Sequence, residues 1–345
     1  MTLAERLRRL DYLRRSDRLL GRPSCHKEWM HFCIVGDEVQ LLVNFSLSDD
    51  VFPGAGRHAE IGRTTVLVSD GRGWTGAVAT CGPDELDVEG GGVALELGEN
   101  AMWLEGERYH LAVRLPEQDI ELRLVVEPLV EPAMAPNIPL TQGPPLHWTV
   151  VPRARATGWV RIGEERHELI DARAYHDHNW GEFLWGHDLS WEWGFCIPDA
   201  ASCPFSFACV RLSNRHRTET LAQGIFLWRG RHMVRSFRDA DLKVVVGTDH
   251  HRQAHTLKIP PVMDLIFPDE ATDVPDRYEM HARLGDDVWS FAFQTRSLAQ
   301  VVIPTEDSLG VTVINELHGT YEVEGVIDGE RARFRGAGFF EFLSA

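Results

Sequence analysis

The sequence lacks the features that mark membrane, secreted or disulfide-stabilised proteins. Its 345 residues contain no apolar run approaching the ~18 residues that a membrane-spanning helix needs. The six cysteines form no CxxC pair and no dense framework, which favours a reducing compartment. The first residues alternate leucine with arginine and have no apolar core, so they do not resemble a signal peptide. The expected location is the cytoplasm.

Basic residues and nucleotide-binding motifs are also scarce. Lys and Arg number 35 against 52 Asp and Glu, and the formal charge is −17. A surface of that sign repels phosphate backbones, so nucleic acid is not an expected partner. The chain has no Walker A sequence and no dinucleotide glycine fingerprint where a strand-to-helix turn could use it. It also lacks the nucleophile elbow expected for Ser/His or Cys/His catalysis.

The N-terminal segment predicts a helix. Leu3, Leu7 and Leu10 fall close to one face, and arginines occupy most of the remainder. Residues 21–23, Gly-Arg-Pro, predict where it ends. We expect an amphipathic helix over residues 1–21 that packs across the rest of the fold. The alternative is a basic helix that makes peripheral contact with a membrane.

The rest of the chain alternates short apolar runs with turn residues. Runs such as Thr64–Ser69, Ile120–Val126 and Phe205–Leu212 are typical of strands, and no helical pattern separates them. This spacing predicts an all-β fold of antiparallel sheets, a sandwich or a barrel. The stretch Glu127–Pro152 contains seven prolines, so we expect it to be an extended connection over a barrel mouth or the domain junction.

Two sequence echoes indicate an internal duplication. Glu192-Trp193 follows Glu28-Trp29 by 164 positions, and Arg331 follows Arg166 by 165. In the second register Tyr175 aligns with Phe340. Nearly equal offsets indicate duplication of a unit of about 165 residues, the size of one small closed antiparallel barrel. After the N-terminal helix we therefore expect two tandem lipocalin/calycin-like antiparallel barrels, at residues 22–185 and 186–345.

Residues 175–182 hold the densest group of polar and aromatic side chains. On a strand they alternate between two faces, with His176, His178 and Trp180 on one and Tyr175, Asp177 and Asn179 on the other. An aspartate in a dry pocket keeps its proton to higher pH, so Asp177 could act as a general acid. The indole faces of nearby Trp185, Trp191 and Trp193 stabilise cations. An acid among aromatic rings is what protonation of an alkene requires.

Other interpretations of these residues stay open. The polar cluster could serve only to join the two barrels through hydrogen bonds. His176 and His178 could instead chelate a metal ion, with Asp177, His187 or His31 completing the shell. Trp29 and Trp193 could close the barrel ends, as a tryptophan near the first strand commonly does in lipocalin-like barrels. His26, Glu28 and His31 are candidates for a second group of site residues.

A longer pattern resembles a known superfamily. Its specific part is Asp171-Ala172-Arg173-Ala174-Tyr175-His176-Asp177-His178-Asn179-Trp180-Gly181-Glu182, with Trp191-Glu192-Trp193-Gly194 after it and Glu28-Trp29 near the start. This pattern is similar to the carotenoid 1,2-hydratase (hydroxyneurosporene synthase) and AttH-type lipocalin-like superfamily, and the resemblance spans most of the chain. It implies two calycin-like barrels and an enzyme without a cofactor. Members hydrate isoprenoid double bonds, and relatives of similar fold act as cyclases or pericyclases on polyenes.

The resemblance also implies roles for single residues, with Asp177 as the proton donor. The expected catalytic residues are Asp177, His176, His178 and Tyr175. The expected substrate-binding residues are Asn179, Trp180, Glu182, Trp191, Glu192, Trp193, Glu28, Trp29 and His31. The predicted function is a cofactor-independent hydratase or cyclase, without a metal, that acts on a hydrophobic isoprenoid or polyene as its small-molecule partner. The alternatives are a pericyclase of the Diels-Alderase kind and a non-catalytic carrier of a hydrophobic ligand.

Overall fold

The computed structural model describes residues 1–14, 25–52, 57–89, 91–266, 274–306 and 309–344. The described chain forms two large antiparallel sheets, one of them barrel-like, and a short N-terminal helix. The predicted all-β class is therefore confirmed. The chain divides into two compact units, Met1–His187 with Thr305–Leu309, and Asp188–Pro304 with Gly310–Ala345.

The first unit begins with a helix and continues as one sheet. Its elements are α1 (Leu3–Asp11), β1 (His26–Val35), β2 (Gln40–Phe52), β3 (Arg57–Ser69), β4 (Trp74–Cys81), β5 (Leu86–Val88), β6 (Ala94–Leu97), β7 (Asn100–Glu105), β8 (Arg108–Leu115), β9 (Ile120–Pro128), β10 (Ala133–Ile138), β11 (Leu146–Ile162) and β12 (Glu165–Glu182). The strand order is β4-β3-β2-β1-β12-β11-β9-β8-β7-β6-β5, and β10 pairs with β11.

The second unit repeats this arrangement with fewer strands. Its elements are β13 (Ser190–Pro198), β14 (Phe205–Ser213), β15 (Thr220–Arg229), β16 (His232–Arg238), β17 (Leu242–Val246), β18 (Leu257–Ile259), α2 (Val262–Ile266), β19 (Arg277–Leu284), β20 (Asp287–Pro304), β21 (Val311–Ile327) and β22 (Glu330–Ser344). The strand order is β16-β15-β14-β13-β22-β21-β20-β19-β17, and β18 pairs with β20.

Both units place their first strand between their second strand and their last. Trp29 on β1 lies opposite Asn179 on β12, and Trp193 on β13 lies opposite Glu341 on β22. The two tryptophans thus occupy equivalent strand positions, which is the arrangement that an internal duplication produces.

The register of the two last strands differs from the predicted one. Cys33 lies opposite Tyr175, and its counterpart Ile197 lies opposite Ala337, so Ala337 takes the place of Tyr175. The alignment of Tyr175 with Phe340 is therefore wrong by three residues. Because side chains alternate along a strand, an odd shift exchanges the two faces of the sheet. Phe340 belongs to the hydrophobic core of the second unit, and burial of that core sets the observed register.

The N-terminal helix is shorter than predicted. It begins at Leu3, where Thr2 and Glu5 form a capping box, and ends at Asp11, since Tyr12 has an extended backbone. The prediction of helix for residues 12–14 is wrong because tertiary contacts end the helix: the Asp11 carboxylate is bound inside the unit, and the Leu13 amide donates to the Gly92 carbonyl at 2.9 Å. Residues 15–23, which include the predicted stop, lie outside the described residues.

The apolar side of α1 is used for packing. Leu3 and Leu7 are buried within the protein, as the packing interpretation requires. Contact of this helix with a membrane stays a prediction. In the described parts of the chain, neither helix has the length and hydropathy needed to cross a bilayer.

The proline-rich stretch contains more regular structure than predicted. Residues 133–138 form β10, and β11 begins at Leu146 and pairs with β9, β10 and β12. The expectation of a purely extended connection is wrong because the prolines lie at strand ends, between strands or where the ladder is interrupted. The pairing register shifts around Pro136 and again around Pro152. At such irregularities a residue without an amide donor costs little.

A buried ion pair holds a distant segment in the first unit. Lys27 on β1 is 2% exposed, and its Nζ donates to Glu306 Oε1 at 2.9 Å and to the Asp49 carbonyl at 3.0 Å. Glu306 Oε2 in turn accepts a hydrogen bond from the Trp185 amide at 2.7 Å. These contacts attach Glu306, which follows β20 in the sequence, to the first unit.

Replacing Lys27 by methionine should therefore be costly. The change leaves Glu306 as an uncompensated buried charge, so Lys27→Met is expected to lower the free energy of unfolding by about 3–5 kcal/mol. The double variant Lys27→Met/Glu306→Leu should recover most of this loss, because an apolar pair can replace a buried ion pair. Urea denaturation measures both values.

The matched control is the exposed pair of Arg72 and Glu165, joined at 2.6 Å with side chains 72% and 52% exposed. Glu165→Gln should change stability by less than about 1 kcal/mol. A Lys27→Met protein as stable as this control would contradict the assignment.

Candidate active site

Strand β12 presents polar side chains on both faces of the sheet. It lies between β1 and β11 along its polar segment, and residues 175–179 are all buried. The predicted alternation holds, because Tyr175, Asp177 and Asn179 bond to one another while His176 and His178 bond elsewhere. The strand therefore separates two clusters.

The Asp177 cluster consists of Trp148, Tyr175, Asp177 and Asn179. The Tyr175 hydroxyl donates to Asp177 Oδ2 at 2.6 Å, and Trp148 Nε1 donates to the same oxygen at 3.1 Å. Asn179 Nδ2 donates to Oδ1 at 2.8 Å. Asp177 is only 3% exposed. Three hydrogen-bond donors are thus directed at one buried carboxyl group.

His31 adjoins this cluster from β1, where it lies directly opposite Asp177. Its Nε2 is 3.1 Å from Cys33 Sγ, and its Nδ1 is 3.2 Å from Asn44 Nδ2. Burial, with a smaller contribution from the charge of His176, lowers the pKa of His31 to about 3. The imidazole is therefore neutral near pH 7.

The Asp11 cluster lies on the opposite face and consists of Asp11, Glu28, Tyr109, Thr149, His176 and His178. Asp11 Oδ1 accepts from the Thr149 hydroxyl at 2.6 Å, and Oδ2 lies 3.1 Å from His176 Nε2. The Tyr109 hydroxyl also donates to Asp11. His178 Nδ1 is 3.8 Å from Asp11 Oδ1. The carboxylate at the end of α1 is thereby bound by side chains from β8, β11 and β12.

Glu28 completes the Asp11 cluster from β1. Its Oε1 lies 2.8 Å from His178 Nε2, and its Oε2 lies 3.0 Å from His26 Nε2. The Arg14 amide donates to Glu28 Oε1 at 2.7 Å, and the Arg14 guanidinium lies 3.9 Å from the Trp180 ring centroid. The segment that follows α1 is thus held by both charged and aromatic groups.

The ionisation of the Asp11 cluster follows from these contacts. Burial opposes charge on Asp11, but the hydrogen bond to His176 and the nearby His178 outweigh it and hold the pKa of Asp11 well below its usual 3.8. Burial likewise opposes charge on Glu28, yet His178 and His26 lower its pKa to about 2. For His178, burial is outweighed by the carboxylates of Asp11 and Glu28, and its pKa rises above 6.5. Opposite charges therefore meet in the interior.

The two clusters differ in what occupies them. The Asp11 cluster is engaged by the N-terminal segment of the chain itself, through Asp11 and Arg14. The Asp177 cluster instead directs donors from β11 and β12 at one carboxyl group. We take the Asp177 face, which carries the predicted proton donor, as the candidate active site and the Asp11 cluster as its support from the other side of β12.

The structure brings only some of the predicted site residues together. Tyr175, Asp177, Asn179 and His31 share the Asp177 face. His176, His178, Trp180 and Glu28 lie on the face of the Asp11 cluster. Trp29 is partly buried edge-on to Phe183, with ring centroids 6.3 Å apart, and Glu182 is exposed.

Three further predicted residues lie in the second unit. Trp191 donates its indole N–H to Glu341. Glu192 accepts from Arg217 Nε at 2.7 Å, and burial raises the pKa of Glu192 above its usual 4.5. Trp193 packs against Phe195 with ring centroids 5.7 Å apart. Each has partners within its own unit, and their predicted role toward a substrate is not tested by these contacts.

The predicted metal shell does not assemble, because His176 and His178 face away from Asp177 and His31. Over the residues that the structure describes, no three His, Cys, Asp or Glu side chains are grouped as a metal ion requires.

Sequence reasoning missed Trp148 and Asp11. Trp148 directly follows His147 in the resembling part of the sequence and lies opposite Asn179, so the strand pairing of β11 with β12 could have identified it. Asp11 had no local signal, because its partners Tyr109 and His176 lie 98 and 165 residues away.

Comparison with solved structures identifies proteins of similar fold. No protein-family model matches the sequence, and no curated protein matches it. An AttH protein from Nitrosomonas europaea aligns with a TM-score of 0.64 at 12% identity, over 92% of this chain and 91% of that one. Kievitone hydratase from Nectria haematococca aligns with a TM-score of 0.57 at 13% identity, over 97% and 96%. CghA with Sch210972 aligns with a TM-score of 0.61 at 14% identity, over 93% and 89%.

These likenesses establish a fold class shared over nearly the whole chain: two antiparallel β units of the AttH kind. The predicted resemblance to AttH-type proteins is thus confirmed for the fold. None of the three structures is named a carotenoid hydratase, and that finer resemblance stays a prediction.

The charges of the Asp11 cluster predict a distinctive pH dependence. Asp11→Asn should lower the free energy of unfolding by about 3–5 kcal/mol, because it leaves buried imidazoles without their carboxylate. The pKa of Asp11 is depressed from 3.8, so its contribution is lost as the pH falls below 3.8. The pKa of His178 is raised from 6.5, so its contribution is complete below 6.5 and is lost as the pH rises further.

The difference in unfolding free energy between wild type and Asp11→Asn should therefore be largest between pH 3.8 and 6.5 and smaller on both sides. Denaturant titrations at several pH values measure it. Asp171→Asn, whose side chain is 69% exposed, is the control and should show a small difference at every pH. A difference for Asp11→Asn that does not vary with pH would contradict the charged arrangement.

Proposed function

We propose that the protein is a cofactor-independent hydratase or cyclase in which Asp177 is a general acid. Its substrate is a hydrophobic isoprenoid or polyene, activated at a double bond or at a conjugated carbonyl. The observation that supports this proposal is the set of three hydrogen-bond donors, Trp148, Tyr175 and Asn179, on one buried carboxyl group.

The donors suit an acid because of where charge develops. When Asp177 gives its proton to a substrate carbon or oxygen, negative charge forms on its carboxyl oxygens. Trp148 and Tyr175 are already directed at Oδ2, and Asn179 at Oδ1, at 2.6 to 3.1 Å. Donors placed in advance at the developing charge stabilise the transition state without reorganisation. The cluster therefore lowers the cost of proton release from Asp177.

The surroundings suit an apolar, unsaturated substrate. Trp148 and Tyr175 are almost fully buried beside Asp177, and water is largely excluded from the carboxyl group. Low local polarity strengthens each hydrogen bond, and an indole face stabilises a cation formed by protonation of an alkene. The similarity in fold to a protein named kievitone hydratase supports hydration as the reaction class.

His176 and His178 are positioning residues in this proposal. Both are bonded to carboxylates of the Asp11 cluster and lie across the sheet from Asp177. They hold β12 in place, and Tyr175 and Asn179 orient the substrate.

The test compares Asp177→Asn with wild type on a panel of isoprenoids and polyenes in heavy water. The asparagine is nearly isosteric, so the fold should persist while turnover falls by at least ~10²-fold, the low end for loss of a general acid. The wild-type product should carry solvent deuterium at the protonated carbon, which mass spectrometry detects. Asp171→Asn, an exposed change on the same strand, should keep full turnover.

The same experiment separates the alternatives. A pericyclase would form an unlabelled product, and its Asp177→Asn variant would lose little activity because an amide still donates a hydrogen bond. A carrier would release its ligand unchanged from both proteins. An unlabelled product formed at full rate by Asp177→Asn would end the acid hypothesis.

A further inference from the structure

Three polar side chains meet beside the Asp177 cluster. His31 Nε2 lies 3.1 Å from Cys33 Sγ, and His31 Nδ1 lies 3.2 Å from Asn44 Nδ2. Cys33 and His31 are 0% and 4% exposed, and Cys33 is not in a disulfide. The thiol, the imidazole and the amide thus form a continuous chain of contacts in space. A thiol in contact with an imidazole is a common form of protein nucleophile.

The protonation of this group follows from its contacts. Burial lowers the pKa of His31 to about 3, so the ring is neutral near pH 7 and carries one hydrogen. A side-chain amide nitrogen can only donate, so Asn44 donates to Nδ1 and the ring hydrogen lies on Nε2, directed at Cys33 Sγ. A hydrogen bond donated to sulfur favours the thiolate, which is the nucleophilic form.

The second unit shows that the fold does not require these polar groups. The equivalent positions, 164 residues later, are Phe195, Ile197 and Ala208. The strand pairing is the same, since His31 lies opposite Asn44 and Phe195 lies opposite Ala208. Apolar side chains therefore suffice to build this pair of strands. The polar residues His31, Cys33 and Asn44 of the first unit are therefore not needed to build the strand pair.

The thiol lies close to the proposed acid. Cys33 is directly opposite Tyr175, and His31 is directly opposite Asp177, on the paired strands β1 and β12. Cys33 and Asp177 are thus diagonal neighbours, about 7–8 Å apart at the backbone and within reach of one small molecule. A substrate carbonyl beside Asp177 would place its conjugated carbons near the sulfur.

We propose that Cys33 is a nucleophile, held and activated by His31 and Asn44, that adds to an α,β-unsaturated carbonyl compound bound at the Asp177 cluster. The sulfur loses its proton and bonds to the β carbon, the C=C π bond opens, and the α carbon takes up one proton in its place. The net change is addition of S–H across the double bond, with no oxidant or reductant.

This proposal rests on the proposed function only for the place where the substrate binds. The chemistry at sulfur can be tested without turnover, by labelling the folded, full-length protein with N-ethylmaleimide. This probe is itself a small conjugated carbonyl compound. Mass spectrometry of the quenched and digested protein follows the labelling rate of each cysteine.

Cys209 is the matched internal control. It is also buried, at 1% exposure, but its thiol donates to the Gly194 carbonyl at 3.5 Å, and burial raises its pKa. The two thiols are similarly buried, at 0% and 1% exposure, and differ in their hydrogen-bonding partners. Cys33 should react about tenfold faster than Cys209, the effect of one hydrogen bond to a charged atom.

His31→Phe and Asn44→Ala introduce the residues of the second unit and should remove most of this difference. An unchanged rate for the buried Cys81, which lies in the same unit, shows that the first unit stays folded. If His31→Phe opens this unit, the Cys81 rate rises with that of Cys33, and Asn44→Ala then decides by slowing Cys33 alone. Equal rates for Cys33 and Cys209 in the wild type, or a Cys33 rate that neither variant lowers, would overturn the proposal.

Asp177→Asn separates the two proposals. If both hold, this variant loses turnover while the Cys33 labelling rate stays that of the wild type. Failure of the acid hypothesis leaves the labelling result intact, and equal labelling of the two cysteines leaves the deuterium result intact.

Discussion

The first unit depends on a carboxylate buried at the end of a short helix. Asp11 accepts hydrogen bonds from Tyr109 and Thr149 and lies against His176 and His178, so one side chain joins three strands to the N-terminal segment. Such a charge is stable in the interior only because its partners compensate the loss of water. The contacts also fix β12 from one side, which leaves its other side as a rigid base for Asp177.

Equivalent positions of the two units can be compared directly. In both units a glutamate on the first strand is buried, yet Glu28 meets two histidines whereas Glu192 meets arginines. On the opposite face, Tyr175 and Asn179 correspond to Ala337 and Glu341. Because both sheets keep the same pairing, these differences are not demands of the fold. They are the positions at which the two units differ in the chemistry of their side chains.

The candidate site requires a rigid strand because hydrogen-bond donors surround its carboxyl group. Hydrogen bonds of 2.6 to 3.1 Å stabilise charge only while their geometry holds, and small displacements weaken them steeply. Tyr175 and Asn179 are set by β12 itself, and Trp148 is set by its pairing on β11. The preorganisation of Asp177 therefore comes from sheet register rather than from loops. The same fold occurs in proteins only 12–14% identical, so the architecture tolerates wide changes in sequence.

Local patterns in the sequence determined the β class, the repeat and the two faces of residues 175–180, because side-chain alternation and turn chemistry act over a few residues. Tertiary structure decided where α1 ends, how the last strands align, and which face of β12 binds the N-terminal segment. Those outcomes depend on contacts such as Asp11 with His176, 165 residues apart, and on burial of Phe340 in its core. The meeting of His31, Cys33 and Asn44 likewise required the pairing of β1 with β2, which no local pattern specifies.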